Sequence, residues 1–119
     1  MDELTTELSM MGKMMDAASL RTRTIANNLA NVNTPGFMRS KVVFEEALGE
    51  ALERGRQDAV RAVQPEVVVE TGGDVKPDGN NVHLETEISE LVKASTLYNI
   101  MNRILSGKIS AIRAAIEGR

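Results

Sequence analysis

Two series of apolar residues, one at each end of the chain, step alternately by four and three positions, and this spacing constrains the fold more than any other feature. The first runs Leu4, Leu8, Met11, Met15, Ala18, Thr22, Ile25, Leu29 and Val32, with Thr22 its single polar member. The second runs Leu84, Ile88, Leu91, Ser95, Tyr98, Asn102, Leu105, Ile109, Ile112 and Ile116. A repeat of about 3.5 residues lays such side chains in one line along a helix, the pattern of a helix packed along a narrow seam. The spacing predicts helices over roughly residues 4–32 and 84–117.

Each helix carries more apolar surface than its seam. Met10, Met14 and Leu20 widen the first stripe toward one flank, while Gly12 weakens it by about 1 kcal/mol against alanine. Val92, Leu97, Ile100, Met101 and Ile104 form a second strip on the last helix, so that helix is expected to touch more than one neighbour. Its charges suit the helix dipole, with Glu85, Glu87 and Glu90 early and Arg113 and Arg119 late.

The middle of the chain has another character. Thr34-Pro35-Gly36-Phe37 predicts a type II turn, because proline sets φ at its second position and glycine accepts positive φ at its third. Pro35 also biases Thr34 away from helical backbone, so the first helix should stop near residues 31–33. Residues 38–43 are expected to be extended. Phe44, Ala47, Leu48, Ala51 and Leu52 mark a short helix ending near Gly55, and Glu66 to Glu70 reads as a short strand or arm. Gly72-Gly73 and Lys76-Pro77-Asp78-Gly79 then break the chain before the last helix. The expected fold is mainly α: an N-terminal helix (1–33) and a C-terminal helix (84–119) packed as a coiled-coil-like pair, joined by an irregular middle (34–83).

Composition narrows the function. At 119 residues the chain suffices for one small domain. A net charge of −3 offers no electrostatic footprint for nucleic acid. There is no cysteine, which removes disulfides, thiol catalysis and thiolate zinc sites. His83 is the sole histidine and is read as a helix-start residue rather than a metal ligand. Glu45, Glu46 and Glu50 fit a solvated face, and the seven methionines fit flexible seam packing. Asp78-Gly79-Asn80-Asn81 is too short for a calcium loop. No nucleophile–base pair or phosphate loop can be assembled. Neither an enzyme, a cofactor nor a small-molecule substrate is expected.

Two stripes of this length cannot both be covered within a helix pair, which implies further copies or partner helices. Loosely ordered ends are expected in the isolated chain. The N-terminal residues that would carry such contacts are Leu4, Leu8, Met11, Met15, Ile25, Leu29 and Val32. Those of the C-terminal seam are Leu84, Ile88, Leu91, Tyr98, Leu105, Ile109, Ile112 and Ile116. Asn27, Asn28 and Asn31 close the first helix, and at least one is expected to bond a neighbouring subunit and set register. Phe37 is expected to anchor against the last helix. The start of the chain lacks the basic, apolar and small-residue order of a secretory leader, so export by another route is expected.

The stretch Ala26 to Phe37, ANNLANVNTPGF, resembles the motif near the N-terminus of the rod, hook and hook-associated proteins that form the axis of the bacterial flagellum. Asp78 to Arg119 resembles the rod members nearest the membrane, with DGNNV before an acidic helix start, then Tyr98, Leu105-Ser106 and a closing helix rich in Ile, Ala and Arg. Phe37 stands where that family often has tyrosine. The resemblance implies a structural subunit of the proximal rod, the periplasmic shaft that carries torque. It also implies export through the flagellar type III apparatus without a cleaved leader. The partners implied are further copies, other rod subunits, and the rod-adaptor, membrane-ring and export-gate proteins. A soluble coiled-coil regulator or chaperone-like adaptor, and another rod paralogue, are the competing readings.

Overall fold

The computed structural model describes residues 2–118, with side chains from residue 3 onward. Two long helices dominate, α1 (Asp2–Ala30) and α4 (Leu84–Glu117). Between them lie β1 (Ser40–Val43), α2 (Glu45–Glu53), α3 (Gln57–Ala62) and β2 (Glu66–Val69). Of these, α3 was not foreseen from the sequence, because six residues hold too little periodicity to register. The strands pair antiparallel, Ser40 with Val69 and Val43 with Glu66, so the chain leaves β1, runs through the two short helices and returns as β2.

The flank of α1 widened by Met10 and Met14 receives α2 and α3. There Ala17, Phe44, Leu48, Ala51 and Val60 form a small core, with both methionines, Ala59 and Val63 packed around it. Lys13 Nζ donates to the Val63 carbonyl at 2.7 Å, tying the exit of α3 to α1. Phe44, only 2% exposed, is the buried aromatic of the fold.

On its other flank α1 runs along α4. Along the α1 stripe Met11, Ala18 and Ile25 are buried and Leu4, Leu8, Met15, Leu29 and Val32 half-buried. The reading of α4 needs correction. Its covered line is Glu87, Leu91, Ala94, Leu97, Met101, Leu105 and Ile112, rotated by roughly 60° from the expected seam at about 100° per residue. Leu91, Leu105 and Ile112 belong to both lines. Leu84, Ile88, Tyr98, Ile109 and Ile116 remain exposed. Small side chains suit the choice, since buried Ala18 and Ala94 permit close helix approach where larger residues would hold the axes apart.

The result is elongated, 63 × 31 × 14 Å, with a radius of gyration of 17.9 Å against about 13.5 Å for a compact chain of this length. Its accessible surface is 7678 Å², where a compact 13.0 kDa monomer would expose about 6300 Å². Among the described residues no helix is long and apolar enough to cross a membrane.

Candidate assembly surface

The Asn-rich end of α1 and the Asp78–Val82 turn, separated by some fifty positions in sequence, fold against each other as one clasp. The last carbonyls of α1 have no continuing helix to bond them, and no basic residue lies in its final turn. Lys76 supplies the cation from afar, its Nζ donating to the Val32 carbonyl at 3.0 Å. Asn80, fully buried, donates its amide to the carbonyls of Asn31 and Thr34, both at 2.8 Å. Its Oδ1 accepts the Val82 amide at 2.6 Å, which fixes the lead into α4.

The turn at Thr34-Pro35-Gly36-Phe37 forms as expected. Phe37 N–H bonds the Thr34 carbonyl at 3.2 Å, and Gly36 has φ +74°. Gly36 N–H then donates to the Asp78 carbonyl at 2.9 Å. A second glycine turn meets the first. Gly79 has φ +86°, and a Cβ there would lie 3.3 Å from Gly36 Cα. The approach requires glycine at position 79, whereas Gly36 is asked only for its positive φ.

Inside the clasp lies a polar network that sequence reasoning missed. Glu87 on the first turn of α4 is fully buried, and its Oε1 receives Arg39 Nε at 2.5 Å. Arg39 also reaches Glu70 Oε2 through Nη1 at 2.7 Å. Burial would lower the Arg39 pKa, but hydrogen bonds to Glu87 and Glu70 overcome it and raise the value above that of a free guanidinium. Glu70 is held below its ordinary 4.5, chiefly by the Arg39 hydrogen bond. The buried Asn81 completes the network, donating Nδ2 to the Glu70 carbonyl at 2.7 Å and accepting the Arg39 amide through Oδ1. The signal available was Glu87 itself, a charge on a line of α4 that alternates with Leu91 and Ala94, but it read as a favourable charge at a helix start.

Asn28 shows why its position in the motif is demanding. Its Nδ2 donates to the Ser40 carbonyl at 2.8 Å and to Glu87 Oε2 at 3.1 Å, while its Oδ1 accepts Ser40 N–H at 2.9 Å. Of the three asparagines, at least one of which was expected to bond a neighbouring subunit, Asn28 has its amide engaged within its own chain. Asn31 bonds locally, to the Asn27 carbonyl at 2.9 Å and to the Thr34 hydroxyl at 3.2 Å. Asn27 alone of the three is exposed. Phe37 is half-buried, its backbone carbonyl accepting Asn81 N–H at 3.2 Å. Pro35, Thr34 and Gly36 stand exposed on the outer side of the clasp.

His83 is the residue that precedes α4, and its Nε2 lies 2.7 Å from the Asp74 carbonyl. Among the described residues no three His, Cys, Asp or Glu side chains are grouped to hold a metal ion. What the surface does offer is apolar. Beside the covered line of α4, Leu84, Ile88, Val92 and Ile109 are each about half exposed, Ile100 and Ile104 extend the patch to the far side, and Ile116 is 80% exposed. Exposed apolar residues repeated along one helix mark a surface suited to packing against further helices.

Comparisons with known proteins agree with this geometry. The sequence profile of the family described as "Flagella basal body rod protein" matches residues 15–37, the half of α1 that enters the clasp and the turn beyond it. The flagellar basal body rod protein FlgB of Borrelia hermsii is 30% identical over 123 aligned positions, covering 88% of this chain and 91% of that protein. FlgB of Aquifex aeolicus is 30% identical, with 83% of each chain covered. The flagellar basal-body rod protein FlgG of Caulobacter vibrioides is 31% identical over 72% of this chain but only 27% of its own length. Near full-length coverage on both sides, joined to a clasp that uses both ends of the chain, places it: the chain belongs to the flagellar basal body rod protein FlgB family.

Proposed function

We propose that this chain is a structural subunit of the proximal rod of the bacterial flagellar basal body, built into the shaft by packing of α1 and α4 against neighbouring subunits. The observation that carries the reading is the uncovered apolar surface of α4, flanking the line that already contacts α1. A helix apolar on adjacent faces needs neighbours on each, and an elongated chain with surplus accessible area gains most by burying them in a lattice.

In this reading the seam residues divide their work. Leu4, Leu8, Met11, Met15, Ile25, Leu29 and Val32, with Leu91, Leu105 and Ile112, hold the helix pair. Leu84, Ile88, Tyr98, Ile109 and Ile116 meet other subunits. The clasp, with Asn28, Asn31, Thr34, Pro35, Gly36 and Phe37, sets the angle at which the middle segment leaves the pair, and exposed Asn27 is free to bond outward. Torque is then carried by side-chain interlock between rigid helices rather than by any chemical step. The further partners are other rod subunits and the adaptor, membrane-ring and export-gate proteins at the base of a periplasmic shaft. The chain travels there through the flagellar type III apparatus without a cleaved leader.

Ile88→Asp and Ile116→Asp test the proposal. Both sites are exposed, so each variant should keep the helical circular dichroism of the parent while swimming is lost and the subunit disappears from purified basal bodies. Wild-type swimming in both would refute the assignment of this surface.

A further inference from the structure

The two-stranded sheet has two edges, and the structure treats them differently. In an antiparallel ladder alternate residues direct their N–H and C=O groups inward and outward. Glu70 N–H bonds the Arg39 carbonyl at 2.9 Å, so Lys41 with Val68 and Val43 with Glu66 are the inward-bonded pairs. Ser40 and Val42 consequently face out from β1, where α1 packs against the strand and takes three of their four groups. Asn28 bonds both the N–H and the carbonyl of Ser40, and Arg21 Nη2 donates to the Val42 carbonyl at 3.2 Å. The outward groups of β2 belong to Val67 and Val69, whose side chains are 50% and 58% exposed. Among the described residues β2 packs on β1 and has no extensive contact with a helix. An open edge of β-branched residues is a template for another strand.

We infer that the outer edge of β2 is a strand-addition site for an extended segment of a different protein, basic at the position that meets Glu66. The inference rests on the rod-subunit reading only for where it is tested. A different protein is favoured over a second copy on charge. The outer edge of β1 is closed, so a second copy could offer only its own β2, and antiparallel self-pairing that sets Val67 against Val69 would place Glu66 opposite Glu70. Like charges directly opposed destabilise a strand pair. A heterologous segment with apolar residues opposite Val67 and Val69, and lysine or arginine beside the exposed Glu66, removes that conflict and exchanges main-chain hydrogen bonds at both valines.

Proline substitution separates the edge from the hairpin. Proline removes one N–H and is tolerated on the outward side of an edge strand. Val67→Pro and Val69→Pro should leave the circular dichroism of the purified chain unchanged, yet reduce swimming at least tenfold and deplete the subunit from basal bodies. Val68→Pro, which removes an inward N–H, should disturb the hairpin and calibrates the fold readout. Glu66→Lys should impair swimming with the fold intact. Overturning results are normal swimming and incorporation of the folded Val67→Pro and Val69→Pro variants, or homodimeric disulfides from Val68→Cys in assembled basal bodies, which would make a second copy the occupant. Absence of the unsubstituted subunit from basal bodies would instead defeat the rod reading itself, and is scored separately.

Discussion

Arg39→Leu should be the most damaging conservative-volume change in the clasp. The guanidinium lies between two carboxylates, 2.5 Å from Glu87 and 2.7 Å from Glu70, and Glu87 is completely withdrawn from solvent. Without the cation, Glu87 keeps one hydrogen bond, from Asn28 at 3.1 Å. Removing one partner of a buried ion pair costs about 3–5 kcal/mol, because the remaining charge is stranded. At about 4 °C per kcal/mol for a chain of this size, Tm should fall by roughly 12–20 °C. Urea denaturation followed by circular dichroism near neutral pH would measure it. The double variant Arg39→Leu/Glu87→Leu is decisive, since replacing both members of a buried pair by apolar groups is often close to neutral. It should recover more than about 2 kcal/mol relative to the sum of the single changes. A loss below about 1 kcal/mol for Arg39→Leu, with strict additivity in the double variant, would refute the claim that this pair closes the clasp.

Further expectations concern the glycines and pH. Gly79→Ala combines a φ of +86° with a Cβ 3.3 Å from Gly36 Cα, and should cost about 1–3 kcal/mol; Gly36→Ala, which meets nothing, should cost less in the same denaturation assay. Gly12→Ala should stabilise α1 by about 0.5–1 kcal/mol, because the added methyl group has open space and the helix loses a flexible residue. The folded pKa of Glu70 lies below its ordinary 4.5, so the stability it contributes is present above that value and is lost as pH falls through the depressed one. Glu70→Gln should therefore destabilise the chain near neutral pH, by under about 1 kcal/mol given its exposure, and by nothing measurable near pH 2, as read from urea midpoints across that range.

The elements were legible to different depths, and particular residues show why. The four-and-three spacing located α1 and α4 within a residue or two, since that periodicity is a local property of a helix. The Thr34 to Phe37 turn was equally plain, because proline and glycine act on their own backbone angles. The covered side of α4 was not legible. Ile88 and Leu91 have comparable apolarity, and only the approach of α1 against Ala94 decides which is covered. The partners of Asn28 were not legible either: its two acceptors and one donor lie on Ser40 and Glu87, 12 and 59 positions away. Asn80, Asn81, Arg39 and Glu87 looked like ordinary turn and surface residues for the same reason.

Local physics written along the chain thus determined two amphipathic helices, a proline–glycine exit and a short extended pair of segments. Tertiary structure decided the face of α4 that pairs with α1, the closure of one sheet edge and exposure of the other, and the burial of Glu87 beneath Arg39. The division has a physical cause. Periodicity and backbone preference act between residues a few positions apart, whereas hydrogen-bond partners and covered faces are chosen by distance in space, which exists only once the chain has folded.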